Sequence, residues 1–307
     1  MASHWSCAKL RDGQLANRRN TKLFREYLAL TKPRITWLIL MSTAVGFYFG
    51  LPHLNPGTLH WVLLHLVLGT ALIASGTAAL NQWWERDSDR FMARTATRPL
   101  PSGKLPARNA LVFGITLATA GFLDLWFGCN PLTACLGLFT LVTYLFVYTP
   151  LKRRSPHSTT IGAIPGAMPP LIGYAAASGE LTWDAWALYA ILFVWQFPHF
   201  YAIAWMYREE YGKAGIRMLP VVEPDGNSTA NRILWTSILM VPTSLLPVML
   251  AMSGKIYLAF ALLMGALLLY TAWKLYQDRS RERARGVLLA SVVYLPVLYA
   301  VLIFSPK

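Results

Sequence analysis

The chain is 307 residues long, 55% hydrophobic and only 14% charged, with a formal net charge of +14. A soluble domain of this size carries roughly a quarter charged residues, so the composition excludes an ordinary soluble enzyme and indicates a chain held largely in lipid. In a soluble protein such a positive excess would suggest nucleic acid, but here the basic residues cluster in alternate connections between apolar runs, and that distribution excludes nucleic acid as a partner.

Residues 1–30 read as a basic cytoplasmic arm, with Lys9, Arg11, Arg18, Arg19, Lys22 and Arg25. No cleavable signal peptide is evident in it, and Asp12, Glu26 and a shortage of serine argue against a transit peptide. Residues 31–307 read as a single polytopic domain. Thr31-Lys32-Pro33-Arg34 is a helix entry, because proline is well placed at a first helical position. Apolar runs long enough to cross a bilayer, each needing ~20 residues, follow near 35–50, 59–80, 109–128, 131–149, 160–178, 183–205, 233–253, 256–275 and 287–305. The expected fold is therefore an all-α membrane protein, a bundle of about nine transmembrane helices.

Basic residues precede the first run and follow the second, fourth, sixth and eighth, whereas the connections near 51–58, 128–131 and 178–183 contain no Lys or Arg. By the positive-inside rule the N-terminus is cytoplasmic and the C-terminus outside. The fifth run, Gly162-Ala-Ile-Pro165-Gly166-Ala-Met-Pro169-Pro170-Leu-Ile-Gly173, cannot be a regular helix, since each proline removes a backbone donor. It reads as a kinked wall of a central pocket, or as close helix packing through small residues. Cys7, Cys129 and Cys135 have no metal-type spacing, and a Cys129–Cys135 disulfide near the outer surface is an expectation to check.

Two cytoplasmic connections, roughly 81–108 and 206–232, are longer than the rest, and long connections in a tight bundle are where function concentrates. Where the second run meets water stands Asn81-Gln-Trp-Trp-Glu85-Arg-Asp-Ser-Asp89-Arg90. Asn81, Glu85 and Asp89 fall at i, i+4 and i+8, which on a helix stacks three oxygen ligands along one face. Hard oxygen donors suit Mg²⁺, which shares its shell with substrate phosphates. Arg94, Arg98, Lys104, Lys152, Arg153 and Arg208 are candidates for the phosphate oxygens. The bland reading of such a row is a solvated, salt-bridged helix end.

A second acidic patch, Glu209-Glu210 beside Arg208, lies in the other long connection and could assist the metal; the alternative is an exposed turn. Metal and cations together would neutralise a diphosphate leaving an allylic carbon. Tyr144 and Tyr148, a turn apart at the cytoplasmic end of the fourth run, could face the resulting cation, although Tyr and Trp are enriched at membrane interfaces anyway. His199 beside the second patch could bind substrate, act as a base, or simply pack.

These motifs coincide with those of a known family. Asn81-xxx-Glu85-xxx-Asp89-xx-Met92-x-Arg94-Thr95-xx-Arg98-Pro99-Leu100-xx-Gly103 resembles the first signature of the protohaem IX farnesyltransferases, a branch of the UbiA-type intramembrane prenyltransferases. Trp195-Gln-x-Pro198-His199-Phe200, with Glu210-Tyr211 and Met218-Leu219-Pro220-Val221, resembles the second; Leu30-Thr31-Lys32-Pro33-Arg34 and Pro169-Pro170-Leu-Ile-Gly173-Tyr174 also match. Glu210 departs from the family, whose members commonly carry Asp before Tyr211. The likeness begins near residue 27 and runs to the end of the chain.

The resemblance implies a nine-helix enzyme of the bacterial inner membrane, the mitochondrial one being the alternative, that converts haem b to haem O with farnesyl diphosphate. Water would supply the new hydroxyl, Mg²⁺ would be required, and a downstream haem-modifying enzyme would take the product. Two further readings fit the same residues: a prenyltransferase acting on a quinone or phenolic acceptor, and a small-molecule transporter hinged at the broken fifth run. Against the transporter, no Asp, Glu, Lys or Arg lies near the middle of any run, and Asp124 is close to an end.

Overall fold

In the computed structural model, residues 21–305 are described, so the basic residues Lys9, Arg11, Arg18 and Arg19 and the thiol of Cys7 lie outside them. The described residues open in a helix, α1 (21–30), that leads through Thr31 and Lys32 into α2 (Pro33–Gly50). Lys32 has a φ of 47°, a left-handed turn that breaks the chain between the two helices. There follow α3 (Leu59–Asp89), α4 (Ala107–Gly128) and α5 (Pro131–Val142), which runs on through a π-helical turn over Thr143–Tyr148. The fifth run forms two short helices, α6 (Ser158–Gly166) and α7 (Pro169–Ser178). α8 (Trp183–Met206), the short α9 (Arg208–Lys213) and α10 (Leu219–Val222), α11 (Asn227–Met249), α12 (Lys255–Gln277) and α13 (Arg281–Phe304) complete the bundle.

Among the described residues there is no strand, and 8 helical segments are long and apolar enough to cross a membrane. The fifth run is not one of them, because its two helices are each too short to span. Its backbone is paired inside the protein, as non-helical chain at membrane depth must be. The side chain of Gln196 on α8 donates through Nε2 to the carbonyl of Ala163 at 3.1 Å, next to the break. Every residue from Pro169 to Ala177 is buried. Gly173 meets the backbone of Thr43 so closely that a Cβ there would collide with its carbonyl, and Gly46 stands in the same relation to Pro170. Small residues thus let α2 and α7 touch backbone to backbone.

Two apolar cores result. One joins α2 to α7 with the first half of the chain, through Phe47, Leu66, Leu125, Leu171 and Tyr174. The other joins α8, α11, α12 and α13, through Leu188, Ile233, Tyr257, Leu268, Tyr294 and Leu298. Cys129 and Cys135 are free thiols, so the disulfide expected near the outer surface is not formed; the Cys129 thiol instead donates to the Val62 carbonyl at 3.6 Å.

α3 is the longest of these helices. Its 31 residues are about 46 Å long at the helical rise, against a hydrocarbon thickness of ~30 Å. Its last turns therefore stand clear of the apolar layer, and they carry Asn81, Glu85 and Asp89.

Candidate active site

Asn81, Glu85 and Asp89 lie on one α-helix, as their spacing requires, and Asn81 and Asp89 are each only 1% exposed. Each oxygen meets a basic group from a different part of the chain. Lys32 Nζ donates to Asn81 Oδ1 at 3.1 Å, Lys152 Nζ to Glu85 Oε1 at 2.9 Å, and Arg98 Nη1 to Asp89 Oδ2 at 2.6 Å. The three cations come from the α1–α2 turn, the end of the fourth span and the loop after α3. Two carboxylates are thus faced by three cationic side chains.

This surplus shapes the protonation of the mouth. Burial pushes the Lys32 ammonium down to about 8, and Arg98 nearby adds to the effect. Burial acts on Lys152 in the same direction, but the Glu85 carboxylate beside it outweighs burial and holds that ammonium well above its ordinary value. The mouth thus sets a firmly charged Lys152 beside a Lys32 whose charge burial disfavours.

The π-helical turn at the end of α5 brings Tyr144 and Tyr148 into contact, with ring centroids 5.1 Å apart. π-Turns inside helices recur at functional sites because they re-aim side chains. Here the Tyr144 carbonyl accepts from both the backbone amide of Thr149 and Thr149 Oγ1, the latter at 2.8 Å, and Thr149 Oγ1 in turn accepts from Asn81 Nδ2 at 3.2 Å. The aromatic pair is therefore tied to the oxygen row by two hydrogen bonds. Lys152 Nζ stands 4.5 Å from the centre of the Tyr148 ring, and that ring packs over Gly162 on the broken span.

The two long cytoplasmic connections form one cap. Met92 from the first packs with Tyr211, Ile216 and Met218 from the second. Arg94 Nη2 donates to Tyr211 Oη at 3.1 Å, and its guanidinium also stands over the Tyr207 ring at 5.3 Å. The amide of Arg217 donates to the Lys152 carbonyl at 2.8 Å, which pins the second loop to the end of the fourth span.

Other candidates stand further off. Lys104 reaches the Thr97 carbonyl at 3.1 Å and Glu26 at 3.8 Å, on the outside of the cap. Arg153 is exposed. Glu209 is exposed and Glu210 half-buried, and with Arg208 they line a cavity beside Arg279 and Arg281. Among the described residues no three His, Cys, Asp or Glu side chains converge on one point. The first acidic row and the Glu209–Glu210 pair are thus two patches rather than one cluster. His199 Nδ1 is hydrogen-bonded to Ser291 Oγ at 2.9 Å, and its ring stacks on Trp195 at 4.6 Å.

The donor set of the row suits a hard divalent cation: two carboxylates and an amide oxygen on one face, all buried or nearly so. Lys32 has a place in this site that sequence reading assigned only to helix entry and topology. The signal was present in Thr31-Lys32-Pro33-Arg34, where Pro33 fixes the start of α2 and so fixes where Lys32 points. Tyr211 was likewise read only as part of a motif and Tyr207 was not singled out, and here both carry Arg94.

The UbiA prenyltransferase family model matches residues 39–295. A protein from Solibacter usitatus named protoheme IX farnesyltransferase is 57% identical over 291 residues, covering 92% of this chain and 98% of its own. One of the same name from Koribacter versatilis is 46% identical, covering 92% and 94%. Among solved structures, a digeranylgeranylglyceryl phosphate synthase superposes with a TM-score of 0.76 at 18% identity, over 92% of this chain and 98% of that one. A UbiA homolog from Archaeoglobus fulgidus, bound to DMAPP and Mg²⁺, superposes with a TM-score of 0.63 at 18% identity, over 90% and 99%. The chain is a multi-pass membrane protein, and it belongs to the UbiA prenyltransferase family.

Proposed function

We propose that this chain transfers the farnesyl group of farnesyl diphosphate to a vinyl group of haem b, producing the hydroxyethylfarnesyl side chain of haem O. The observation that carries the reading is the buried Asn81-Glu85-Asp89 row faced by Lys32, Lys152 and Arg98. A ligand that brings both a divalent metal and a larger negative charge suits both halves of that arrangement. The haem acceptor rests on the name borne by the Solibacter and Koribacter relatives.

In this reading Asn81, Glu85 and Asp89 would hold Mg²⁺, while Glu209 and Glu210, expected to assist, form a separate patch and take no ligand place beside the row. Bound there, the metal supplies a Lewis acid that neutralises the leaving diphosphate. Lys32, Lys152 and Arg98 turn from the row to the diphosphate oxygens, joined by Arg94 from the cap. Lys104, Arg153 and Arg208 contribute positive potential around the mouth. As the bond from C1 of the farnesyl chain to oxygen breaks, its electron pair leaves with diphosphate. The faces of Tyr144 and Tyr148 stabilise the allylic cation without trapping it.

The π electrons of the vinyl group then form the new carbon–carbon bond at C1. The positive charge passes to the carbon beside the porphyrin ring, where water adds and loses a proton to give the hydroxyl. His199, its Nδ1 held by Ser291, presents its other ring nitrogen to the haem. The site opens to the cytoplasm of a bacterium, with the farnesyl tail in the inner membrane and a further haem-modifying enzyme receiving the product.

Expression of the full chain in bacterial cells, followed by chromatography and mass analysis of extracted haems, tests this. A farnesylated, hydrated haem that depends on the chain is expected. An unchanged haem profile together with a prenylated 4-hydroxybenzoate or quinone would transfer the chemistry to another acceptor.

A further inference from the structure

The cytoplasmic ends of α8 and α13 enclose, with α9, a cavity of about 250 Å³ whose lining includes Tyr207, Arg208, Glu209, Glu210, Arg279 and Arg281. None of Lys32, Lys152 or Arg98 lines it, so it is separate from the oxygen row. Three guanidiniums face two carboxylates. Among the described residues none of these arginines forms an ion pair within 4.0 Å. Arg208 is partly occupied, donating to the Trp205 carbonyl at 3.0 Å and lying 4.2 Å over its ring. Arg281 stands 5.8 Å from the centre of the Tyr207 ring and Arg279 makes no side-chain hydrogen bond among the described residues, so both keep donors for an anion.

The same two helices carry His199 and Ser291, bonded to each other deeper in the bundle. His199 lies seven residues before Met206, about 10 Å along α8. An imidazole in the apolar layer below a set of spare guanidiniums at the water surface matches a flat ligand with a ring that prefers lipid and one edge of carboxylates. Arg94 and Arg281 both stand over the Tyr207 ring, so the cavity is one side chain away from the cap residue proposed to hold diphosphate. We propose that this cavity receives the propionate carboxylates of the porphyrin acceptor, which directs the opposite, vinyl-bearing part of the ring toward the reacting carbon. The inference rests on the reading that the acceptor is haem b.

The test uses the full chain in neutral phosphatidylcholine nanodiscs, titrated with haem b and with haem b dimethyl ester, followed by Soret absorbance. The wild type should bind the diacid more tightly than the diester by roughly tenfold for each carboxylate held. In R279Q/R281Q, affinity for haem b should fall to that for the diester, with diester binding unchanged. Arg283, whose guanidinium pairs with Asp278 at 3.4 Å outside the cavity, supplies the control, and R283Q should behave as wild type. Binding of a non-hydrolysable farnesyl thiodiphosphate should be unaffected by R279Q/R281Q.

If the double variant loses the thiodiphosphate and keeps its preference for the diacid, the cavity serves phosphate and the proposal fails. A variant effect seen only when phosphatidylglycerol is added would assign the cavity to lipid headgroups instead, which also overturns it. A wild type that makes farnesylated haem yet binds diacid and diester alike sinks this inference while the function stands. A wild type that neither binds porphyrin nor makes that product sinks the function and this inference with it. Should the double variant not fold, the diacid–diester comparison on the wild type and on R279Q alone decides.

Discussion

The two ends of α3 both bury charged or polar groups, and they do so in opposite ways. Near its start, His65 Nδ1 meets Asp124 Oδ1 of α4 at 2.8 Å, while His65 Nε2 and Asp124 Oδ2 are buried with no hydrogen-bond partner. The Trp61 ring lies 4.2 Å from the His65 ring, centroid to centroid. Near its end, Asn81, Glu85 and Asp89 are met one for one by Lys32, Lys152 and Arg98. The first arrangement is a closed pair that ties two helices together. The second sets three cationic side chains against two carboxylates, an excess of positive charge that suits an anion. Burial of charge by itself does not mark a site; an unbalanced sign does.

The largest effect that sharpens this contrast is at Asp89. In Asp89→Ala the row loses a metal oxygen and Arg98 loses its buried partner. Yield of farnesylated haem per inserted chain should fall by about 10³-fold, while the amount of chain in the membrane fraction stays the same. Product measured by mass analysis against immunodetected protein would decide it, and wild-type turnover with Mg²⁺ present would count against the metal assignment.

The cation surplus also predicts an order of binding. A bare divalent ion entering the row must displace three basic groups that stay nearby, whereas an ion arriving with diphosphate gives those groups new partners. Mn²⁺, followed by the loss of its free paramagnetic signal, should bind the purified chain at least about tenfold more tightly when diphosphate is present. Equal affinity with and without diphosphate would mean that the basic groups do not guard the row.

Tyr148 gives a smaller effect. Its ring lies between Lys152 and Gly162, and its proposed work is done by the aromatic face rather than the hydroxyl. Tyr148→Phe should retain turnover within about threefold, and Tyr148→Leu should lose roughly tenfold or more, the value of a desolvated cation–π contact. A Phe variant as damaged as the Leu variant would give the role to the hydroxyl instead.

Much of this was legible in the sequence because the signals were local. Period and length of the apolar runs set the helices, and the i, i+4, i+8 spacing set the face shared by Asn81, Glu85 and Asp89. The prolines of 162–173 foretold the break between α6 and α7. What was not legible depends on contacts between distant segments. Lys32 reaches Asn81 across 49 residues, and Lys152 reaches Glu85 across 67. Lys104 and Arg153 were indistinguishable in sequence from Lys152, since all three are basic residues on the cytoplasmic side; only the packing of the cap turns one inward and leaves the others out. The π-turn at Thr143–Tyr148 leaves no mark in hydropathy at all.

The smallest effect on turnover belongs to the other end of α3. Asp124→Asn keeps the shape of the side chain and one hydrogen bond to His65 but removes the charge. Because the pair lies far along α3 from the oxygen row, farnesylated haem per chain should stay within about twofold of wild type. Stability should still change, since a partly buried charged hydrogen bond contributes ~1–3 kcal/mol, and the side chains of His65 and Asp124 are only 18% and 17% exposed. A fall of a few degrees in the thermal midpoint of the detergent-solubilised chain, with turnover unchanged below it, is the outcome expected of a tie between helices. If turnover instead fell as steeply as in Asp89→Ala at equal chain levels, the two ends of the helix would be working as one site and the contrast between them would be wrong.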